Sequence, residues 1–207
     1  MGVFKMNIER QVEIFNKQAG KYYKRAKQKN IDFRLRSKLL QSATGNILEL
    51  SVGAGMNFQF YPKSSRITAV DFSPNMLEQA RIVAAEQGRQ VDFRLGNVEE
   101  IALPENNYDT VISTLSLCSY PHPDKVLTQM ASWCKEDGKI LLYEHGISTN
   151  SFVAWLQHKT NSFYMKKVGC HMNRDILKLV QESPLSIVKS EHYMLHAVHL
   201  IWAKPVR

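Results

Sequence analysis

The chain is 207 residues long, 44% apolar and 22% charged, enough for one full core and short for two. Such proportions exclude a disordered, collagen-like or low-complexity chain, and no uninterrupted run of 18 apolar residues offers a membrane span. The formal net charge of +8 resides wholly in residues 1–40, where eleven Lys or Arg face Glu9, Glu13 and Asp32; the remainder holds sixteen bases and sixteen acids.

Three cysteines, Cys118, Cys134 and Cys170, lie far apart with no CxxC pair. That spacing argues against a disulfide scaffold or a cysteine-clustered zinc site, and an odd count suits a reducing compartment. The start, MGVFKMNIER, lacks the apolar core of a signal peptide, and Met6 stands where a myristoylation signal wants Ser or Thr. A soluble cytoplasmic protein is expected. Its basic arm suits an anionic membrane surface, a nucleic acid or an acidic substrate, with a plain solvated helix face as the alternative.

Residues 1–44 read as that arm. Val12, Ile14, Phe15, Ala19, Tyr22 and Tyr23 recur at spacings of three and four, which predicts a helix, with Gly20 bending or interrupting it. From residue 46 the pattern becomes regular. NILEL at 46–50 is a strand ending in the small-residue turn Ser51-Val-Gly-Ala-Gly55, and RITAV at 66–70 is a second strand closed by Asp71. Ser73 and Pro74 open a helix through Glu86, as N-cap and first helical residue, and Gly88 follows as a C-cap. Strands are expected at 91–95, 109–113 and 139–144, with a helix at 124–134 between the last two.

Alternation of strand and helix implies a parallel α/β sheet. The segment 147–183 reads as a mostly helical insertion. Two extended runs at 185–193 and 196–203 then follow, too close together for a crossover helix, so they pair antiparallel at the sheet edge. The expected fold is α/β: a Rossmann-like, mostly parallel seven-stranded sheet with an antiparallel terminal hairpin and helices on both faces. Domain 45–207 carries the arm 1–44 as a lid.

An open parallel sheet binds ligands at the carboxyl ends of its strands, near the switch in strand order. Gly53 and Gly55 let backbone approach a ligand closely. Asp71, 22 positions after Glu49, suits a carboxylate accepting from a ribose diol. Phe72 offers a flat surface to a purine, and Asn97, beside the N–H of Val98, can read an adenine edge. Position 58 is Phe rather than the third glycine of GxGxxG, and no P-loop Lys is present, which favours a nucleoside without a pyrophosphate.

The stretches ILELSVGAG, ITAVDFSPNML and LGNVEEIALPENNYDTVISTLSLCSYPHPDKVL, with the terminal hairpin, resemble the class I S-adenosylmethionine (SAM)-dependent methyltransferases. The resemblance implies SAM as cofactor and S-adenosylhomocysteine as product. It implies that Glu49, Ser51, Gly53 and Gly55 hold the methionine part, Asp71 the ribose and Asn97 the adenine, with Ser113 near the methionine end. Ser51 and Asn57 stand where the family's ExGxGxG has its first and third glycines, and Asn97 where an aspartate is usual. FNKQAGKYY resembles the FxxxAxxY entry helix of the small-molecule and lipid branch, which places Tyr22 over the cofactor. EHG at 144–146 and GCHMNRD at 169–175 look like the group containing phospholipid N-methyltransferases and membrane-associated thiol methyltransferases.

For the acceptor side, Phe152, Trp155, Leu156, Phe163, Tyr164 and Met165 of the insertion suggest an apolar lid, or an inward packing face. Of seven histidines, His145 and His171 stand where a general base is useful, with His122 beside them; His192, His196 and His199 belong to the hairpin. No pair of His and carboxylate has metal-dictating spacing, so no metal is expected. STLS stands in place of the [ND]PP[YF] motif of exocyclic amino-group DNA and protein methylases, and exposed aromatics beyond Tyr22 and Tyr23 are sparse for a stacking platform. The leading reading is therefore methyl transfer to the N, S, O or C atom of a small or amphipathic acceptor, lipid or quinone included. An RNA-binding methyltransferase and a non-catalytic SAM-binding protein are the alternatives.

Overall fold

A computed structural model describes residues 8–26 and 28–206. The readings placed on the first seven residues and the charges of Lys5, Lys27 and Arg207 fall outside them.

Helices α1 (Ile8–Ala26) and α2 (Ile31–Leu40) precede the sheet. Strands β1 (Asn46–Leu50), β2 (Arg66–Asp71), β3 (Val91–Leu95), β4 (Tyr108–Thr114), β5 (Cys134–His145), β6 (Leu185–Tyr193) and β7 (Val198–Pro205) form one sheet in the order β3-β2-β1-β4-β5-β7-β6. The first five run parallel, and β7 pairs antiparallel with both β5 and β6, as the terminal pattern requires. Helices α3 (Pro74–Glu86), α4 (Pro123–Trp133), α5 (Ser151–Val168) and α6 (Ile176–Gln181) complete the fold.

Both faces of the sheet are covered. Leu48, Leu50, Val111, Ile140 and Leu142 point toward α4 and α6, where Val126, Leu127, Met130, Ile176 and Val180 meet them. Ile47, Ala69, Ile112 and Leu141 point the other way, against Leu39 and Leu40 of α2 and Leu77, Ala80 and Val83 of α3. Central strands buried on both faces are mostly apolar, so Ile47, Leu48 and Leu50 of NILEL sit on both faces without a solvent-facing polar set.

Local signals match the element ends. The Ser73 hydroxyl accepts from the Met76 amide at 3.1 Å. At the other end Gly88 adopts φ +60°, and Arg89 N–H donates to Ala84 O at 2.8 Å, a Schellman closure. Gly20 does not interrupt α1, which runs through it from Ile8 to Ala26; a single interior glycine costs only about 1 kcal/mol, and α1 packs on α3. The strand order reverses between β1 and β4, so a crevice opens at their carboxyl ends.

Candidate active site

The crevice is a cleft floored by the turn after β1 and walled by the ends of β2 and β4, with α1 and α2 across its mouth. Ser51, Gly53 and Gly55 all adopt left-handed backbone, at φ +47°, +55° and +76°. A Cβ at Gly55 would lie 2.7 Å from the Phe58 ring, so that position is restricted by space as well as by φ. At Gly53 the nearest atom to a Cβ is a Tyr22 ring carbon at 3.9 Å, so only the backbone angle demands glycine. Ser51 carries a side chain in the same left-handed region, and its hydroxyl is held 2.7 Å from that of Tyr120.

Asp71 ends β2 with its carboxylate facing inward. Oδ2 accepts from Gly53 N–H at 2.8 Å and Oδ1 from Ser73 N–H at 2.8 Å, so one side chain ties the glycine turn to the start of α3. Burial pushes its pKa up to about 6, and the backbone bonds from Ser73, Gly53 and Phe72 limit the rise. Phe72 meets Phe15 of α1 edge-to-face at 5.4 Å. The Ser73 hydroxyl donates to Asn16 Oδ1 at 2.6 Å, and Gln11 Nε2 donates to Ser119 O at 2.8 Å. These contacts lay α1 over the cleft, where Phe15, Tyr22 and Arg25 line it. Burial raises the Tyr22 pKa, so its hydroxyl stays protonated near neutrality.

Glu49 lies beneath the turn instead of in the cleft. Oε1 accepts from Asn57 Nδ2 and Oε2 from the Tyr61 hydroxyl, each at 2.8 Å, and burial lifts its pKa to about 7 against those bonds and Arg36. Asn57 is fully buried; its carbonyl accepts from Arg36 Nη1 at 2.8 Å, and its amide also reaches Thr114 Oγ1 at 3.1 Å. Arg36 further donates to Thr114 Oγ1 at 2.9 Å and to Asp32 Oδ1 at 3.0 Å. This network from α2 joins β1, the turn and β4, and brings Arg36, Asp32 and Thr114 to the cleft wall. Sequence reasoning missed it; the available signal was Asp32 and Arg36 at i,i+4 spacing, with Arg36 among Leu35, Leu39 and Leu40.

Among the described residues, Tyr22, Ser51, Gly53, Asp71 and Phe72 line the cleft, and Glu49, Gly55, Asn57, Asn97, Val98 and Ser113 are not among its lining residues. Asn97 uses its side-chain oxygen to cap the following turn, accepting from Glu99 N–H at 3.1 Å, and Val98 is fully buried. Ser113 points away from the cleft and donates to Glu144 Oε1 at 2.6 Å, whereas the next residue of the pleat, Thr114, lines it. Glu144 also accepts from the Ser116 and Leu117 amides, so this buried carboxylate, raised to about 7 by desolvation, anchors the loop after β4.

His145 and His171 do not reach the cleft. His171 N–H donates to Cys118 O at 3.0 Å, and burial, followed by Arg174, lowers its pKa to about 4, which leaves it neutral. His145 Nε2 sits 3.0 Å from Cys170 Sγ; burial alone lowers its pKa, but Cys170 and Glu144 outweigh that and raise it. The three cysteines are free thiols. Cys118 and Cys170, 52 residues apart and unpromising by spacing, come together with His145 at the back of the loop after β4.

The insertion departs from the packing expectation. Of Phe152, Trp155, Leu156, Phe163, Tyr164 and Met165 only Met165 is buried; Phe152 is 70% exposed, Trp155 54% and Phe163 61%. None of the six lines the cleft. No described helix is long and apolar enough to cross a membrane.

A model of the methyltransferase domain family matches residues 48–142, the span from β1 to β5 that builds the cleft. The chain is 29% identical over 179 residues to a thiol S-methyltransferase of Mus musculus, covering 82% of this chain and 72% of that one. It is 26% identical over 147 residues to a phosphatidylethanolamine N-methyltransferase of Cereibacter sphaeroides, covering 70% and 72%. Its fold superposes on an S-adenosylmethionine-dependent methyltransferase of Clostridium acetobutylicum with a TM-score of 0.66 at 14% identity, covering 93% of this chain and 99% of the other.

Proposed function

The chain belongs to the class I S-adenosylmethionine-dependent methyltransferases, and on that premise we propose that SAM seats in the cleft over Gly53 and Asp71 for transfer to a small or amphipathic acceptor. The observation that carries the reading is Asp71. It lines the cleft, and an ionised carboxylate with two backbone donors already bound keeps acceptor capacity for a ribose diol. Phe15, Phe72 and Met76 supply the apolar wall for a base, and Arg25 and Arg36 stand on the cleft wall for the donor's carboxylate. When bound, SAM supplies an electrophilic methyl on a sulfonium sulfur.

The protein's own share is alignment and exclusion of water. Helix α1 closes the mouth through Phe15 and Tyr22, and the Glu49–Asn57–Arg36 network fixes the turn beneath. Tyr22, kept protonated, offers a hydrogen bond inside the cleft. A proton from an N–H, S–H or O–H acceptor leaves toward solvent. The amphipathic class of acceptor is supported by the exposed Phe152, Trp155 and Phe163 of α5, which lie among Lys159, Lys166 and Lys167. Peripheral contact with an anionic lipid surface follows, through this face and the basic arm.

Incubation of the protein with methyl-labelled SAM and a cell extract split into lipid, small-molecule and RNA fractions tests the proposal. Label in the lipid or small-molecule fraction supports it; label confined to RNA overturns it. Sedimentation with anionic but not zwitterionic vesicles, reversed by salt, checks the membrane contact, and equal sedimentation with both refutes it.

A further inference from the structure

Behind the wall of the cleft, the fold assembles a donor set that the proposed methyl transfer does not use. Cys118 lies on the loop after β4, His145 ends β5, and Cys170 follows Gly169, the left-handed C-cap of α5. Their two Sγ atoms and the imidazole nitrogen all lie within 4.8 Å of one another, and both thiols are buried. We propose that Cys118, Cys170 and His145 bind a thiophilic divalent cation of the zinc class, with three protein ligands and one open coordination position.

The chemistry of the set selects the ion. Two sulfurs and an imidazole are soft or borderline donors, suited to zinc and unsuited to magnesium or calcium, which take oxygen. Zinc–sulfur and zinc–nitrogen bonds of about 2.3 and 2.0 Å place tetrahedral ligands roughly 3.5–3.8 Å apart. The His145–Cys170 separation of 3.0 Å is that of a hydrogen-bonded pair and needs to open by about half an ångström for the metal.

The three ligand segments are already fastened to each other, so the ordering cost of assembling the site is met by the fold. His171 N–H bonds Cys118 O at 3.0 Å, joining two ligand loops directly. Ile147 N–H donates to Arg174 O at 2.8 Å, joining the end of β5 to the segment after α5. The Arg174 guanidinium donates to the Leu117 and Tyr120 carbonyls on either side of Cys118. Two thiolates neutralise a divalent ion, and the remaining charges facing the site, Arg174 and Glu144, offset each other. A bound ion would brace Ser116 and Ser119, the part of the same loop that lines the donor cleft, and a three-ligand site keeps its fourth position for water or an incoming thiolate.

The test uses reduced, chelator-stripped full-length protein titrated with zinc and, separately, with cobalt(II), in the absence of SAM. One equivalent of zinc per chain is expected. The cobalt form should show thiolate-to-cobalt charge transfer and tetrahedral visible bands, and zinc should raise the thermal midpoint. Cys118→Ser, Cys170→Ser and His145→Gln should each weaken zinc binding more than tenfold, whereas Cys134→Ser, remote from the cluster, should not. Substoichiometric zinc in wild type, cobalt spectra without charge transfer, or equal affinity in wild type and Cys170→Ser overturns the assignment. So does a Cys118–Cys170 disulfide in fresh protein that, once reduced, takes up no metal. Because the readout is metal binding alone, failure leaves the donor-site reading intact, and donor binding measured separately tests that.

Discussion

Asp71→Asn keeps the volume of the side chain and removes its charge, and its consequences follow from the bonds the carboxylate makes. In the wild type both oxygens accept from backbone donors at 2.8 Å, Gly53 on one side and Ser73 on the other. An amide places an NH2 group against one of those N–H donors, so one buried donor loses its acceptor. Removing a desolvated charge whose pKa has risen to about 6 works in the opposite direction. The ligand-free variant should therefore remain folded, with a stability loss of about 1 kcal/mol. Donor binding has no such offset. Hydrogen bonds to a charged acceptor are worth about 1.5–3 kcal/mol, and losing about 2–3 kcal/mol lowers affinity roughly 30- to 140-fold. Calorimetric titration with SAM at pH 7.5, alongside thermal unfolding, measures both quantities. Asp92→Asn, on the exposed edge strand β3, is the control. A folded Asp71→Asn protein that binds SAM within threefold of wild type would refute the placement of the ribose on Asp71.

The pH dependence should have opposite signs for binding and for stability. Asp71 and Glu49 have folded pKa values of about 6 and about 7, above the ordinary 3.8 and 4.5. The ligand-free protein should thus be most stable below about pH 4 with respect to these groups and lose that stability as pH rises through 6 to 7. SAM affinity should instead fall severalfold between pH 7.5 and 5.5 as Asp71 protonates; calorimetry and denaturant unfolding over this range check both, and parallel trends would contradict the argument. Arg36→Met should cost about 3 kcal/mol, since it strands the buried Asn57 carbonyl and Asp32, a fall of roughly 6–12 °C in thermal midpoint. Ser51→Gly should change stability by no more than about 1 kcal/mol, relief of a left-handed backbone being offset by loss of the Tyr120 bond. Ser51→Val should cost more than 2 kcal/mol, because a β-branched residue tolerates that φ poorly; equal stability of the two variants would show that φ at this position carries no strain.

Local chemistry was legible in the chain. Ser73 and Pro74 before an apolar run, Gly88 after it, and short apolar strands with small-residue ends each describe a contact made within a few residues, so pattern alone located α3, β1 and β3. The short gap between the last two extended runs likewise left only an antiparallel pairing. From the order of elements the switch point followed, and with it Gly53, Asp71 and Phe72 at the cleft. Exposure of α5 was not legible, since an apolar residue on a helix reads alike whether it faces a core or water.

What only the tertiary structure decided are the contacts whose partners lie far apart in the chain. Arg36 meets Thr114 across 78 residues and Gln11 meets Ser119 across 108; no spacing rule spans such distances. Ser113 and Thr114 exchange roles because one step along a strand turns a side chain to the opposite face, a choice made by the sheet's register against β1 and β5. Cys118, His145 and Cys170, scattered by sequence, become neighbours because three separate segments end at the same edge of the sheet. Periodicity and caps thus determined the elements and the position of the crevice. The side chains that hold it together were chosen by packing, which brings distant residues within bonding distance only after the sheet has formed.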